Sequence, residues 1–339
     1  MPIYRCNACG FVSEDAATPV GQTTACGRCG RASTVYGTVF FVEKLVERYA
    51  AAMRELQALR AADDDEPANQ GAAAEAAATA AGAGAQFTDV DAQNTANFAT
   101  AEQHLPLQAW FAGRKINATF DYAQVDTTGF FDDAARLLGD RLDLFGELID
   151  RVAFAYRKGH GWINLELARL PQKDAQAVNQ LCRTLYGHTL FGRYHYQKPE
   201  KIVRLTLQTA PAVRRFFEGG WLEWYVFLEA LEACKAVGRR QISCARGVKV
   251  TFPNEDLHEL DVVVLPAGRT PVVVECKSGE FQRDLDKYLR LRKRLGLERQ
   301  HFVICSPHIA DDQAGGLSAM YDLTFVNLRL LRAHLQTVL

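Results

Sequence analysis

Two valine runs, "DVVVLP" from residue 261 and "PVVVECKSG" from residue 271, stand so close together that few folds accommodate both. Uninterrupted β-branched residues fit strands covered on both faces. The connection "LPAGRT" is too short for a crossover, so the strands form an antiparallel hairpin and the start of the first lies beside the end of the second. Asp261 therefore meets Glu275. Side chains alternate along a strand, which puts Lys277 on the face of Glu275 and turns Cys276 the other way. A rim ion pair on an edge strand would account for Glu275 and Lys277 alone. Two carboxylates from neighbouring strands, with an amine alongside, suit a hard divalent cation that takes several oxygen ligands.

The surrounding pattern extends the hairpin. A helix from residue 214, "RRFFEGGWLEWYVFLEALEACKAVG", precedes the strands "QISCARGVKVTF", "HELDVVVLPAG" and "TPVVVECKSG"; the helix "EFQRDLDKYLRLRKRLGL" and the strand "RQHFVICS" follow. The order is αβββαβ. Glu223 sits between Trp221, Leu222, Trp224 and Tyr225, where an unpaired charge is costly, which favours a ligand role over a surface carboxylate. Glu259 shares the strand face of Asp261 and ranks below these residues, since it equally suits solvent at the strand's entry.

Asp261, thirteen intervening residues and Glu275-Cys276-Lys277 resemble the motif of the PD-(D/E)xK nuclease superfamily, over about residues 205 to 335. Leu260-Asp261 replaces the usual Pro-Asp. The resemblance implies a restriction-endonuclease-like core and metal-dependent phosphodiester hydrolysis. Glu223, Asp261, Glu275 and the backbone carbonyl of Cys276 would hold Mg²⁺ or Mn²⁺, and Lys277 would position or deprotonate the attacking water. Arg283, Lys287 and Tyr288 on the following helix are candidates for contacting nucleic acid, DNA ahead of RNA. More narrowly, "GGWLEWY", "HELDVVV", "VVVECKSGE" and "DLDKYLRLRKRLG" look like the nuclease half of CRISPR ancillary nucleases that respond to cyclic oligoadenylates. The N-terminal hundred residues show no βαβ run or phosphate loop of a sensor domain, so ligand activation is not carried over. The expected role is defence against foreign nucleic acid or DNA processing. The alternatives are a non-catalytic nucleic-acid-binding or adaptor protein and a nuclease silent until a partner or ligand triggers it.

Four of the nine cysteines are organised. Cys6, Cys9, Cys26 and Cys29 form two Cys-x-x-Cys knuckles sixteen residues apart, the spacing of a zinc ribbon with a closed, structural Zn²⁺ site. A redox dithiol or an iron–sulfur site is the alternative. A closed site points to docking, on nucleic acid or a protein partner, rather than to catalysis. Cys182, Cys234, Cys244, Cys276 and Cys305 stand in apolar settings and read as small buried hydrophobes.

The fold expected is mixed α/β (α+β), in five parts: the ribbon at 1–40, a helix at 41–62, a flexible linker at 63–103, a winged-helix-like or small α+β domain at 104–210 and the nuclease domain at 211–339. Val42, Leu45, Tyr49, Ala52, Leu56 and Leu59 form a short heptad seam that suits either a homodimeric coiled coil or packing on the chain's own body. The linker is Ala-, Gly- and Asp-rich. In the fourth part, residues 130–159 are expected as one amphipathic helix, and a basic, aromatic hairpin (Arg193, Tyr194, His195, Tyr196, Lys198, Lys201, Arg204) suits nucleic acid or plain solvent. A formal charge of −1 excludes a polycationic surface, so such contacts must be local. With no long apolar span and no apolar leader, no membrane partner is expected, and the chain reads as cytoplasmic.

Overall fold

In the computed structural model, residues 2–6, 11–37, 87–90, 95–121, 129–253 and 257–339 are described. The chain divides into two compact units, Met1–Ala77 and Ala78–Leu339. The heptad seam and most of the linker lie outside the described residues.

The smaller unit is an antiparallel sheet of short strands, β1 (Pro2–Arg5), β2 (Val12–Glu14), β3 (Thr23–Ala25) and β4 (Ala32–Gly37), in the order β2-β1-β4-β3. Among its described residues the buried apolar ones are Tyr4, Cys6, Cys26 and Val35. A sheet with so few buried residues gains little folding energy from them, and small sheets of this kind depend on a staple.

The larger unit runs β5 (Thr88–Asp89), α1 (Ala101–Ala112), β6 (Asn117–Thr119), α2 (Phe130–Asp140), α3 (Leu142–Arg157), β7 (Trp162–Glu166), α4 (Gln172–Gly187), β8 (Phe191–Gln197) and β9 (Ile202–Leu207). It continues with α5 (Trp221–Ala236), β10 (Gln241–Thr251), β11 (Leu257–Pro266), β12 (Val272–Cys276), α6 (Leu285–Leu295), β13 (Phe302–Cys305), α7 (Asp311–Met320), β14 (Thr324–Val326) and α8 (Leu328–Val338). The architecture is mixed α/β, and from α5 to β13 the major elements follow the order αβββαβ. The central sheet reads β14-β13-β12-β11-β10-β5, with β6 also pairing along β10. β10, β11 and β12 are antiparallel, while β12, β13 and β14 are parallel. Helix α6 makes the β12–β13 crossover that parallel pairing requires.

The valine runs are explained by helices on both faces. Val262, Val264, Val272 and Val274 join one core with α5, a helix apolar on nearly every side. Val263, Val273 and Ile304 join the other core with Leu285, Tyr288 and Leu291 of α6. The allocation reverses near one point: on β10, Ile242 and Cys244 belong to the first core but Val248 and Val250 to the second, and Leu260 of β11 likewise departs from Val262. Gly247 marks this point with a left-handed φ of 60°, opposite Asp261 by register, and a Cβ there would lie 3.2 Å from Glu259 Oε1. A local kink of this kind re-aims side chains beside a site.

Two expectations differ from the structure. The helix expected over 130–159 breaks at Arg141 (φ −133°, ψ 43°), which lets α2 and α3 turn separately around the core. Residues 95–103, read as the end of the linker, hold a 3₁₀ turn and the start of α1, because Phe98, Gln103 and His104 are buried. Residues from both sides of position 210 share one core, in which Leu165 and Leu205 join Trp221 and Val264.

Candidate active site

A cleft of about 670 Å³ opens beside the kink and is lined by Glu223, Glu259, Asp261, Cys276 and Lys277. Three separate devices bring these residues there. Glu223 lies in the first turn of α5, which begins after a wide turn over Phe216–Gly220 with Gly219 at φ 143°. A Cβ on Gly219 would stand 3.6 Å from Ser278 Oγ, so the helix start abuts the loop after β12. The hairpin register pairs Val262 with Val274, and one step further Asp261 reaches the end of β12. Its Oδ2 accepts a 2.7 Å hydrogen bond from the Cys276 backbone N–H. The Lys277 backbone N–H donates to the Cys305 carbonyl, which ties the motif to β13.

Glu275 does not line the cleft; it is buried next to Asp261, whose charge acts on it. It is 2% exposed, and its Oε1 is buried with no hydrogen-bond partner. A buried oxygen without a donor is costly unless a cation meets it. Burial, then the charge of Asp261, pushes the Glu275 carboxyl well above the usual carboxylate range. Burial raises Asp261 as well, against the pull of Lys277. Glu223 is pushed up to about 7 by burial and then by Asp261, with Arg246 opposing. Burial works against charge on Lys277, but Asp261, Tyr288 and Glu275 outweigh it and hold the amine above its ordinary range. The cleft therefore combines desolvated carboxylates with an ammonium that stays charged.

The oxygens of Glu223, Asp261 and Glu275 are not yet gathered as tightly as a bound ion would require. Among the described residues, the one set of three His, Cys, Asp or Glu ligand atoms all within 4.8 Å of one another is Cys6, Cys26 and Cys29. The Cys6 and Cys29 sulfurs are 3.5 Å apart. Cys9, the fourth residue of the expected set, lies outside the described residues.

No protein-family model matches the chain, and no curated protein matches it. Among solved structures, protein VC1899 from Vibrio cholerae is similar at 20% identity and a TM-score of 0.46, over 68% of this chain and 59% of that one. Can2 from Sulfobacillus thermosulfidooxidans, in complex with cyclic tetra-adenylate, is similar at 14% identity and a TM-score of 0.49, over 68% of this chain and 60% of that one. The chain thus spans less than two thirds of the length of each of these two structures. Likenesses of this strength decide neither fold nor chemistry.

The structure also redistributes the candidates around the cleft. Tyr288 is 1% exposed and packs in the α6 core, with Lys277 Nζ 5.4 Å from its ring centroid; it supports the lysine rather than facing a nucleic acid. Arg283 and Lys287 are exposed, and Lys287 acts electrostatically on Asp261 and Glu275. Arg215, Arg246 and Lys249 line the cleft and were not anticipated. Arg246 Cζ lies 3.2 Å from the Trp224 ring centroid, a stacked guanidinium already oriented toward the cleft's charges. Their signal was faint: Arg215 stands some thirty residues before Arg246 and Lys249, and the three become one wall only when β10 and the turn before α5 are placed.

Proposed function

We propose that this chain is a metal-dependent nuclease that hydrolyses phosphodiester bonds in DNA, with RNA as a second substrate to test. The observation that carries the reading is the buried Glu275 carboxylate with an unpartnered oxygen, set where Asp261 and Lys277 converge on a cleft walled by Arg215, Arg246 and Lys249. An anionic phosphodiester suits that basic wall, and an oxygen-only donor set suits Mg²⁺ or Mn²⁺. The αβββαβ order supports a PD-(D/E)xK nuclease with a restriction-endonuclease-like core.

Glu223, Asp261, Glu275 and the Cys276 carbonyl would hold the cation. When bound, it supplies polarisation of the phosphoryl group and a lowered pKa for water. Lys277 remains an ammonium in this setting, so its part is to hold the attacking water in place and to offset negative charge growing on the phosphate oxygens. Tyr288 keeps the Lys277 stem from swinging away, and Arg246, braced on Trp224, takes a non-bridging phosphate oxygen. In the smaller unit, Cys6, Cys26 and Cys29, with Cys9, would hold a structural Zn²⁺. That ribbon would serve docking on nucleic acid or a protein partner. Defence against foreign nucleic acid or DNA processing are the roles this chemistry serves.

The test is cleavage of plasmid, single-stranded DNA and RNA with Mg²⁺ or Mn²⁺ against a chelator, for wild type, Glu275→Ala and Lys277→Ala. Metal-dependent cutting lost in both variants supports the reading. A wild type that binds nucleic acid but never cuts, whatever the metal, leaves an adaptor. Cutting that begins only when a partner or small ligand is added leaves a triggered nuclease. Among the described residues, no helix is long and apolar enough to cross a membrane.

A further inference from the structure

The basic, aromatic hairpin at 191–207 is not part of the cleft, and its placement gives it a separate surface. β8 and β9 join β7 in an antiparallel sheet of order β7-β9-β8. One face is core: Ile163, Leu165, Val203 and Leu205 are buried against α3 and α4. The register puts Trp162, Thr206 and Arg193 in one row across the opposite face, and Asn164, Arg204 and His195 in the next. The hairpin's residues thus separate by strand alternation. Tyr194 turns inward, where its hydroxyl donates to Asn179 Oδ1 at 2.7 Å, and Tyr196 packs against the core. Arg193, His195 and Arg204 turn outward and are exposed.

Trp162 is 64% exposed and Phe154 51%. Rings of this size are rarely left in water in such proximity unless something covers them. Between them lies a pocket of about 410 Å³, whose polar lining is Asp150, Arg151, Arg157, His160 and Asn164. The loop that shapes it, "RKGHGW" over 157–162, is fixed by Gly159 at φ 70° and by the His160 N–H donating to the Ala155 carbonyl. Among the described residues, no carboxylate forms an ion pair with Arg157, Arg193 or Arg204. Exposed rings interleaved with unneutralised guanidiniums suit a strand that offers π-faces and phosphates together.

We infer that the open face of the β7-β9-β8 sheet, with the pocket beside Trp162, binds single-stranded nucleic acid. Bases stack on Trp162 and enter the pocket toward Phe154, while Arg157, Arg193 and Arg204 take phosphates. Stacking of this kind tolerates any base sequence, and the arginines make binding salt-dependent. A folded protein partner would fit the rings but would leave these guanidiniums in want of acids; a duplex hides the base faces that the tryptophan needs. This surface stands whether or not the cleft cuts.

The test uses the full chain without added Mg²⁺ or Mn²⁺, so that binding is read apart from cleavage, with fluorescein-labelled 20-mers of oligo(dT) and oligo(U) followed by anisotropy. Trp162→Ala should weaken binding to the strand that is taken by about tenfold or more, with the salt slope unchanged. Arg193→Gln with Arg204→Gln should lower the slope of log K against log salt by about 1.4. All these side chains are exposed, and an unchanged melting temperature confirms that the variants fold. Affinity and salt slope equal to wild type in both variants overturns the inference. So does a Trp162→Ala chain that loses only self-association in sedimentation while binding the 20-mers normally. If wild type binds through this face but cuts nothing, the nuclease reading fails alone; if it cuts and these variants bind normally, this inference fails alone.

Discussion

The small four-stranded sheet and the cleft both gather groups that suit a metal, and they do so in opposite ways. In the small sheet, three thiols converge within 4.8 Å, two of them from one Cys-x-x-Cys knuckle whose turn sets the spacing. At the cleft, Glu223 of α5 and Asp261 of β11 line the wall and Glu275 of β12 is buried next to Asp261; the meeting of these elements depends on a core of dozens of residues, and the carboxylates stand further apart. Thiols can share a proton-bearing, uncharged cluster; carboxylates without a counterion repel, and burial raises the cost for each. Local backbone can therefore prepare a thiol site in a sheet with few buried residues among those described, whereas an acidic site has to be imposed by a large fold.

The contrast is broken most sharply at Glu275. Replacing it by Gln keeps the shape and removes the charge, and cleavage should fall about 10³-fold or more, as expected when a group acting directly on transition-state charge is lost. A steady-state rate within tenfold of wild type would remove the acidic site from the chemistry. On the side of the thiols, Cys26→Ser should abolish stoichiometric zinc by elemental analysis while the urea transition of the larger unit stays in place; a shared transition would show that the two units do not fold separately.

Smaller effects distinguish stored repulsion from mere burial. Glu223, at about 7 when folded, lies above its unfolded value near 4.5, so the folded protein is penalised above pH 7 and not below about 4.5. Glu223→Gln should then stabilise the metal-free protein by about 3 kcal/mol at pH 8 and by nothing at pH 4 in urea titrations, while activity is lost. His104 beside the cleft runs the other way. Burial lowers it to about 4, against hydrogen bonds to the Phe98 and Cys244 carbonyls, so the unfolded chain takes the proton first. Stability is full above about pH 6.5 and should fall by about 2 kcal/mol between 6.5 and 4, a slope that His104→Gln flattens.

What the sequence disclosed follows the same division between local and assembled features. The valine hairpin, the αβββαβ order and the buried character of Cys182, Cys234, Cys244 and Cys305 were legible because periodicity and composition act over short stretches. The meeting of Asp261 with the end of β12 followed from hairpin length alone. The break at Arg141 was not legible, since the apolar pattern runs through it and only packing of α2 against α3 and α5 requires a turn. Nor was the basic wall: Arg215, Arg246 and Lys249 gain their meaning from Gly247's kink and the wide turn before α5, which no spacing reveals. The hairpin arginines were visible, but Trp162 joins them only through the register of β7 with β9.

The central claim is that Asp261 and Glu275 are held together for a cation. Crystals soaked in Mn²⁺ and measured at its absorption edge test this directly. An anomalous peak at about 2.1–2.3 Å from Glu275 Oε1 and an Asp261 oxygen, with Glu223 drawn in, is the expected result. Manganese that binds elsewhere on the chain, with Glu275 still buried and unliganded, would contradict it.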